Sequence, residues 1–226
     1  MIWLVTTLVV FYTARYIAQR LQNPIVNPLL ISLLVIIPLL IWLKVPYETY
    51  FEQNKWINAL LEPAVVALAF PLYEQLSQIR QKWKVIFSVC LIGSILSMVT
   101  GAGIAVMMGA DSQLTASILP KSVTTPIAMA VAEQVGGVPS VAAIMVIIAG
   151  LFGAVLGYPL FRLLRIEAPI AKGLTMGTVS HALGTAKAAE EDFQEGAFSS
   201  LALVICGVIT SILAPLLLPV IMYLFG

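Results

Sequence analysis

The residues best placed to do chemistry lie in Ser117–Glu133, a stretch that carries a lysine, a run of hydroxyls and two prolines inside a very apolar chain. Thr124 and Thr125 are suited to cap a helix that begins at Pro126, because proline fits a first helical turn and needs no donor there. The free N–H groups and dipole of that helix start would face Lys121, Ser122, Thr124 and Thr125. Such a constellation favours a small anion. Lys121 buried in a span would cost a few kcal/mol unless it met water, an opposite charge or a ligand. The blander alternatives are a lysine that snorkels to the headgroups and hydroxyls that only cap the helix.

A second group surrounds His181, the single histidine, in Gly173–Thr185. On a helix, Gly177, His181, Gly184 and Ala188 share one stripe, which would turn His181 into a close helix–helix contact. With Ser180 and Thr185 it could touch a solute or relay a proton, or its ring could simply be satisfied by a backbone carbonyl. Glu62 precedes Pro63 and so sits at another helix start. There it is either a dipole-stabilised cap, a protonatable coupling group or the counter-charge of Lys121.

Enzyme chemistry is not expected. Ser180 and His181 adjoin in sequence, a poor geometry for hydroxyl-to-imidazole transfer, and no G-x-S-x-G elbow occurs. No histidine pair has metal-ligand spacing, and no cofactor is expected. Cys90 and Cys206 lie far apart inside apolar runs and read as inert packing.

The elements that must position these groups are membrane helices. Of 226 residues, 60% are hydrophobic and 10% charged, against roughly a quarter charged in a soluble domain. Net charge is +1, with no basic patch for nucleic acid. Continuous apolar runs exclude the two-residue alternation of a β-barrel. Residues 2–17, 25–43 (with Pro38 inside), 85–108, 138–161 and 199–225 read as spans, the last broken by Pro215 and Pro219. Residues 44–55 read as a polar boundary loop, 78–84 as a basic cytoplasmic loop and 190–195 as an acidic loop. Residues 57–76, 117–133 and 168–189 are interrupted by proline or glycine.

Positive-inside counting then gives an all-α polytopic membrane protein. It has about seven transmembrane helices and a re-entrant segment at 117–133, and forms a single domain over residues 1–226. Units 57–109 and 168–226 resemble each other and would run in opposite directions. Opposed repeats with broken helices are a mark of secondary transporters.

Four blocks in order, Pro63–Tyr73, Leu119–Pro126, Gly177–Thr185 and Glu195–Ala202, resemble the LrgB/CidB family, and within it a branch of Gram-negative bacteria. They are similar also to the C-terminal half of the plant plastidial glycolate/glycerate translocator. The resemblance implies a multi-pass protein of the bacterial inner membrane with a smaller LrgA/CidA-type membrane partner, and self-association is left open. It implies two roles: a holin/antiholin-like regulator of murein hydrolase export and lysis, or a carrier of small monocarboxylates such as glycolate, glycerate or pyruvate. Broken helices and intramembrane polar groups favour the carrier, with the carboxylate at Lys121, Ser122, Thr124, Thr125 and Pro126. Ser180, His181 and Thr185 would then face the solute, and Glu62 or His181 would couple an ion.

Overall fold

In a computed structural model, described for residues 2–21, 28–60, 63, 69–74 and 76–226, the regular elements of the described residues are all helices. The chain divides into two compact units, Met1–Ala69 and Phe70–Gly226.

The first unit holds α1 (Ile2–Leu21), α2 (Pro28–Trp42) and α3 (Tyr47–Ala59). Helix α1 packs on both of the others. Thr7 Oγ1 meets Tyr50 Oη at 2.8 Å, and Trp3 stands edge-on to the Tyr50 ring. Helix α3 corrects the expected polar loop at 44–55. Its residues are polar but good helix formers, with Glu48 in the first turn and Glu52 3.5 Å from Lys55 one turn on. Polarity had marked the membrane boundary there, not the end of helical structure. Helix α2 continues through Pro38, as membrane helices tolerate.

Between the units, the expected crossing at 57–76 falls partly outside the described residues, and Glu62 lies wholly outside them. The first member of the proposed repeat shares that gap. The described part of that member, residues 57–109, is the end of α3, α4 (Ala69–Glu74) and the long helix that begins at Leu76.

The second unit runs α5 (Leu76–Met107), α6 (Ser112–Ile118), α7 (Thr125–Gln134), α8 (Pro139–Leu163), α9 (Pro169–Glu191) and α10 (Phe193–Phe225). Arg80, Lys82 and Lys84 belong to the opening turns of α5, so the basic segment is a helix end and not a loop. Glu190 and Glu191 likewise finish α9. Asp192 caps α10 by accepting from the backbone N–H groups of Gln194 and Glu195, and Glu195 is buried in the first turn. The expected acidic loop is therefore a helix–helix corner. Helix α10 also passes through Pro215 and Pro219 without ending.

Four helices among the described residues are long and apolar enough to cross a membrane: α1, α5, α8 and α10. Helix α2 is apolar but shorter. Their exposed faces argue the same way. Ile144, Ile148, Phe152, Leu156 and Leu160 on α8, and Val204, Val208, Ile212 and Leu216 on α10, form exposed apolar stripes at four-residue spacing. A soluble helix would put its polar face outward instead. In lipid the inner faces gain little from hiding apolar area, so close contact must hold them. Helix α9 meets α10 in that way. A Cβ on Gly173 would strike the Glu195 carbonyl, and one on Gly177 the Ser199 carbonyl. Phe198, Ala202 and Cys206 of α10 then close on Leu174 of α9 and Ile86 and Cys90 of α5.

Candidate functional site

Helices α6 and α7 hold 7 and 10 residues, about 10 and 15 Å of length. Neither reaches across the roughly 30 Å of a bilayer core. They fold back on each other. Gly137, just past α7, lies against the backbone of Ala116 and Ser117, and Val138 N–H donates to Ser117 Oγ at 2.7 Å. The two short helices thus form a hairpin, with Leu119–Thr124 as its tip.

At the tip, Lys121 Nζ donates to Ser97 Oγ at 2.8 Å, to the Ser97 carbonyl at 3.3 Å and to Ser122 Oγ at 3.3 Å. The two serine hydroxyls are themselves 2.7 Å apart. The lysine stem lies on Gly101 of α5, where a Cβ would come within 2.5 Å of Cε. Among the described residues no carboxylate comes within 4.0 Å of the ammonium. Among the described residues the charge is thus solvated by dipoles alone.

Helix α7 begins at Thr125, with Pro126 second and Thr124 in the capping position. The Thr124 side chain makes no capping hydrogen bond. This corrects the expected cap, and it bears on the chemistry, because the N–H groups of the first turn are not taken by that hydroxyl. Thr124 and Thr125 are half-buried, while Pro126 is exposed and serves as a helix starter.

Helix α9 breaks at His181 itself, with φ 43° and ψ −137°. A left-handed φ in a non-glycine residue costs of order 1–3 kcal/mol and persists only where its surroundings enforce it. Two bonds do so here. His181 Nε2 meets the Val146 carbonyl of α8 at 2.7 Å, and Thr185 Oγ1 donates to the His181 carbonyl at 2.8 Å. Gly150 makes room for the ring. The expected stripe therefore splits: His181 turns to α8 while Gly177 faces α10. Thr185 also contacts Ser199 Oγ of α10 at 2.9 Å, away from Lys121.

The structure brings Ser180 and Lys121 to one groove of about 440 Å³ between the hairpin tip, α8 and α9. Its other walls are mostly apolar, and Phe152 and Leu156 among them belong to the exposed stripe of α8, so the groove is open on that face. On the other side of the tip lies a small hydroxyl-lined pocket of about 10 Å³, formed by Ser94, Ser97, Ser122, Thr178 and Thr210. That is close to the room needed by one water. Sequence reasoning missed Ser94, Ser97, Thr178 and Thr210. The available signal was two serines three residues apart within an apolar span, which places them on one helix face. The cysteines read as unrelated also meet: Cys206 Sγ lies 3.8 Å from the Cys90 carbonyl and 3.5 Å from Thr178 Oγ1.

A family model described as LrgB-like matches residues 7–220. An uncharacterized protein of Haemophilus influenzae is 42% identical over 216 residues, covering 95% of this chain and 94% of the relative. The YxaC protein of Bacillus subtilis, also uncharacterized, is 42% identical over 181 residues, 80% of this chain and 79% of its own. The holin-like protein CidB of Staphylococcus aureus is 37% identical over 218 residues, 96% and 95% respectively. No solved structure matches.

Proposed function

Because the chain belongs to the LrgB-like family, we propose that this multi-pass membrane protein changes membrane permeability through a gated site for small monocarboxylates. The observation that carries the reading is Lys121: an ammonium among serine oxygens, without a carboxylate partner among the described residues, beside an uncapped helix start. One cation without a carboxylate partner among the described residues matches one carboxylate. The carboxylate would sit between Lys121, Ser122 and the first turn of α7 at Thr124, Thr125 and Pro126. Ser180 would contact the solute from α9. His181 and Thr185 would hold the break that lets the halves of α9 move separately.

The second reading is a holin-like regulator of lysis without a solute site. The holin-like character given to the staphylococcal relative by its name favours it. Both readings place the chain in the bacterial inner membrane, with a smaller LrgA/CidA-type protein as partner.

Counterflow of labelled glycolate into liposomes, with the purified protein alone and with that partner, separates them. Saturable counterflow without leakage of a trapped dye supports the gated site. Dye leakage without saturable counterflow overturns it in favour of the holin-like reading.

A further inference from the structure

A second ionic centre lies at the other end of the α9 half-helix, remote from the hairpin tip in sequence and built from different residues. Glu195, in the first turn of α10, is 3% exposed. Both its oxygens are engaged: Tyr158 Oη of α8 donates to Oε2, and Lys172 Nζ of α9 donates to Oε1 at 3.0 Å. Helices α8, α9 and α10 are thus tied through one carboxylate. The centre borders a cavity of about 380 Å³ at the end of α8, lined also by Arg162, Arg165, Glu167 and Glu191. Lys187 faces Tyr158 from 5.9 Å over the ring, but its own charge is taken by Glu191 at 2.6 Å and Glu190 at 3.8 Å. From α5, the neighbour of this corner is an uncharged amide, with Gln194 Nε2 donating to Gln78 Oε1 at 2.9 Å. Asp192 is occupied in capping. Lys172 is therefore the one cation within 4.0 Å of Glu195 among the described residues.

We infer that Glu195 is the proton-carrying group of this protein, and that its protonation from the 380 Å³ cavity releases Lys172 and with it the first half of α9. The step balances simply. A hydronium ion in the cavity gives its proton to one carboxylate oxygen and leaves as water, Glu195 becomes neutral, and Lys172 keeps its charge. A proton on Oε1 points a donor at the ammonium, which can only donate. A proton on Oε2 forces the Tyr158 hydroxyl to turn and accept. Either way an ion pair becomes a weaker contact between a charge and a neutral group.

The release has a defined route. Lys172 and Ser180 sit on the same half-helix, which ends at the His181 break. Lys172 anchors one end to α10, and Ser180 at the other end lines the groove shared with Lys121. Freeing the anchored end lets that segment shift at its hinge. The coupling to solute movement rests on the carboxylate reading above, whereas proton binding at Glu195 does not.

The test has two arms, so that the two ideas fail separately. In the first, the purified protein in liposomes, without solute, is followed by infrared difference spectroscopy on acidification. A component of the protonated-carboxyl band, beyond that of the exposed acids, that appears in the wild type and is missing in Glu195→Gln is expected. Its persistence in that variant, or its absence from the wild type, overturns the inference. In the second, liposomes containing a pH dye are given labelled glycolate. The wild type should acidify the lumen as glycolate enters, while Glu195→Gln should retain glycolate exchange and lose the acidification. Lumenal acidification unchanged in Glu195→Gln also overturns the inference. If the wild type moves no glycolate but shows the band, the proton site stands and the carboxylate reading falls. Should Glu195→Gln fold poorly, the swapped pair Lys172→Glu with Glu195→Lys replaces it, with the band again expected to change because the acid has moved to α9.

Discussion

Lys121 and Lys172 pose the same problem, an ammonium within an apolar helical assembly, and the chain answers it in opposite ways. Lys172 has a fixed counter-charge, Glu195 at 3.0 Å, itself braced by Tyr158. Lys121 has serine hydroxyls and a carbonyl instead. A lysine neutralised by a neighbouring acid has little attraction left for a solute, and its loss strands a buried carboxylate. A lysine held by dipoles retains most of its field, and its loss strands only hydroxyls that can bond each other. On the readings proposed above, one centre would hold helices together until a proton arrives and the other would receive charge from outside.

The largest effect should come from breaking the paired centre. Glu195→Leu leaves Lys172 and the Tyr158 hydroxyl without their acceptor, at a cost of about 3 kcal/mol, the lower end for a broken buried pair because Lys172 is partly exposed. Thermal unfolding in detergent should show a clear drop for this variant. A change within error would mean the pair contributes nothing to the α8–α9–α10 packing. Lys121→Met, by contrast, should leave unfolding unchanged or raise it slightly, since a lysine in a span costs a few kcal/mol to bury. The same variant should lower saturable glycolate counterflow by tenfold or more, about 1.4 kcal/mol of lost recognition. A stability loss as large as that of Glu195→Leu would merge the two centres into one class and remove the argument for an anion at the tip.

How much of this was legible in the sequence follows the same division. The tip was visible because Lys121, the hydroxyls and Pro126 interrupt an apolar run, and the break in α9 because glycine and histidine do. What stayed hidden needed a third dimension. Glu195 sits in a row with Glu190, Glu191 and Asp192, and such a row usually means a solvated loop. Only the turn at Asp192 shows that one of the four acids points inward. Asp192 and Glu195 have the spacing of a capping box, a cue to a helix start that would have removed the loop. Ser97 was hidden because a serine in a span is unremarkable until a lysine from elsewhere reaches it. The break at His181 was expected from glycines, yet it falls on a non-glycine residue, because Val146 and Thr185 supply the hydrogen bonds that hold the strained backbone. Helix α3 was lost to a different error: polarity reports the surroundings of a segment, whereas helix propensity reports its backbone.

A smaller effect tests the helix start beside Lys121. Thr125 lies in the first turn of α7 and Thr124 caps it in position only. Replacing either with valine removes one hydroxyl without opening a cavity. For a hydroxyl that touches the solute carboxylate, the loss is about 1 kcal/mol, a several-fold rise in the concentration giving half-maximal counterflow. Because the Thr124 hydroxyl makes no capping bond, Thr124→Val should leave thermal unfolding where it was. A true cap would lose roughly 1 kcal/mol on such a change. Reduced stability with unchanged saturation would make Thr124 a structural cap and confine the anion to Lys121.

The smallest effect should come from Ser97→Ala. The change takes one acceptor from Lys121 and leaves the Ser97 carbonyl at 3.3 Å and Ser122 Oγ at 3.3 Å in place. Two outcomes separate the views of the tip. If the serine merely solvates a resting charge, removing it makes the ammonium less satisfied and more attractive to an anion, so half-maximal counterflow should occur at equal or lower solute concentration. If Ser97 instead contacts the solute, the same variant should weaken saturation as Thr125→Val does. The geometry predicts the first, because the Ser97 hydroxyl is already engaged by both Lys121 at 2.8 Å and Ser122 at 2.7 Å. With Lys121 donating to this hydroxyl and its own proton directed at Ser122, it would have no donor left for a carboxylate. Weaker saturation in Ser97→Ala would therefore show that an entering solute displaces the lysine from its serine, turning the contrast between the two lysines from one of fixed partners into one of exchangeable partners.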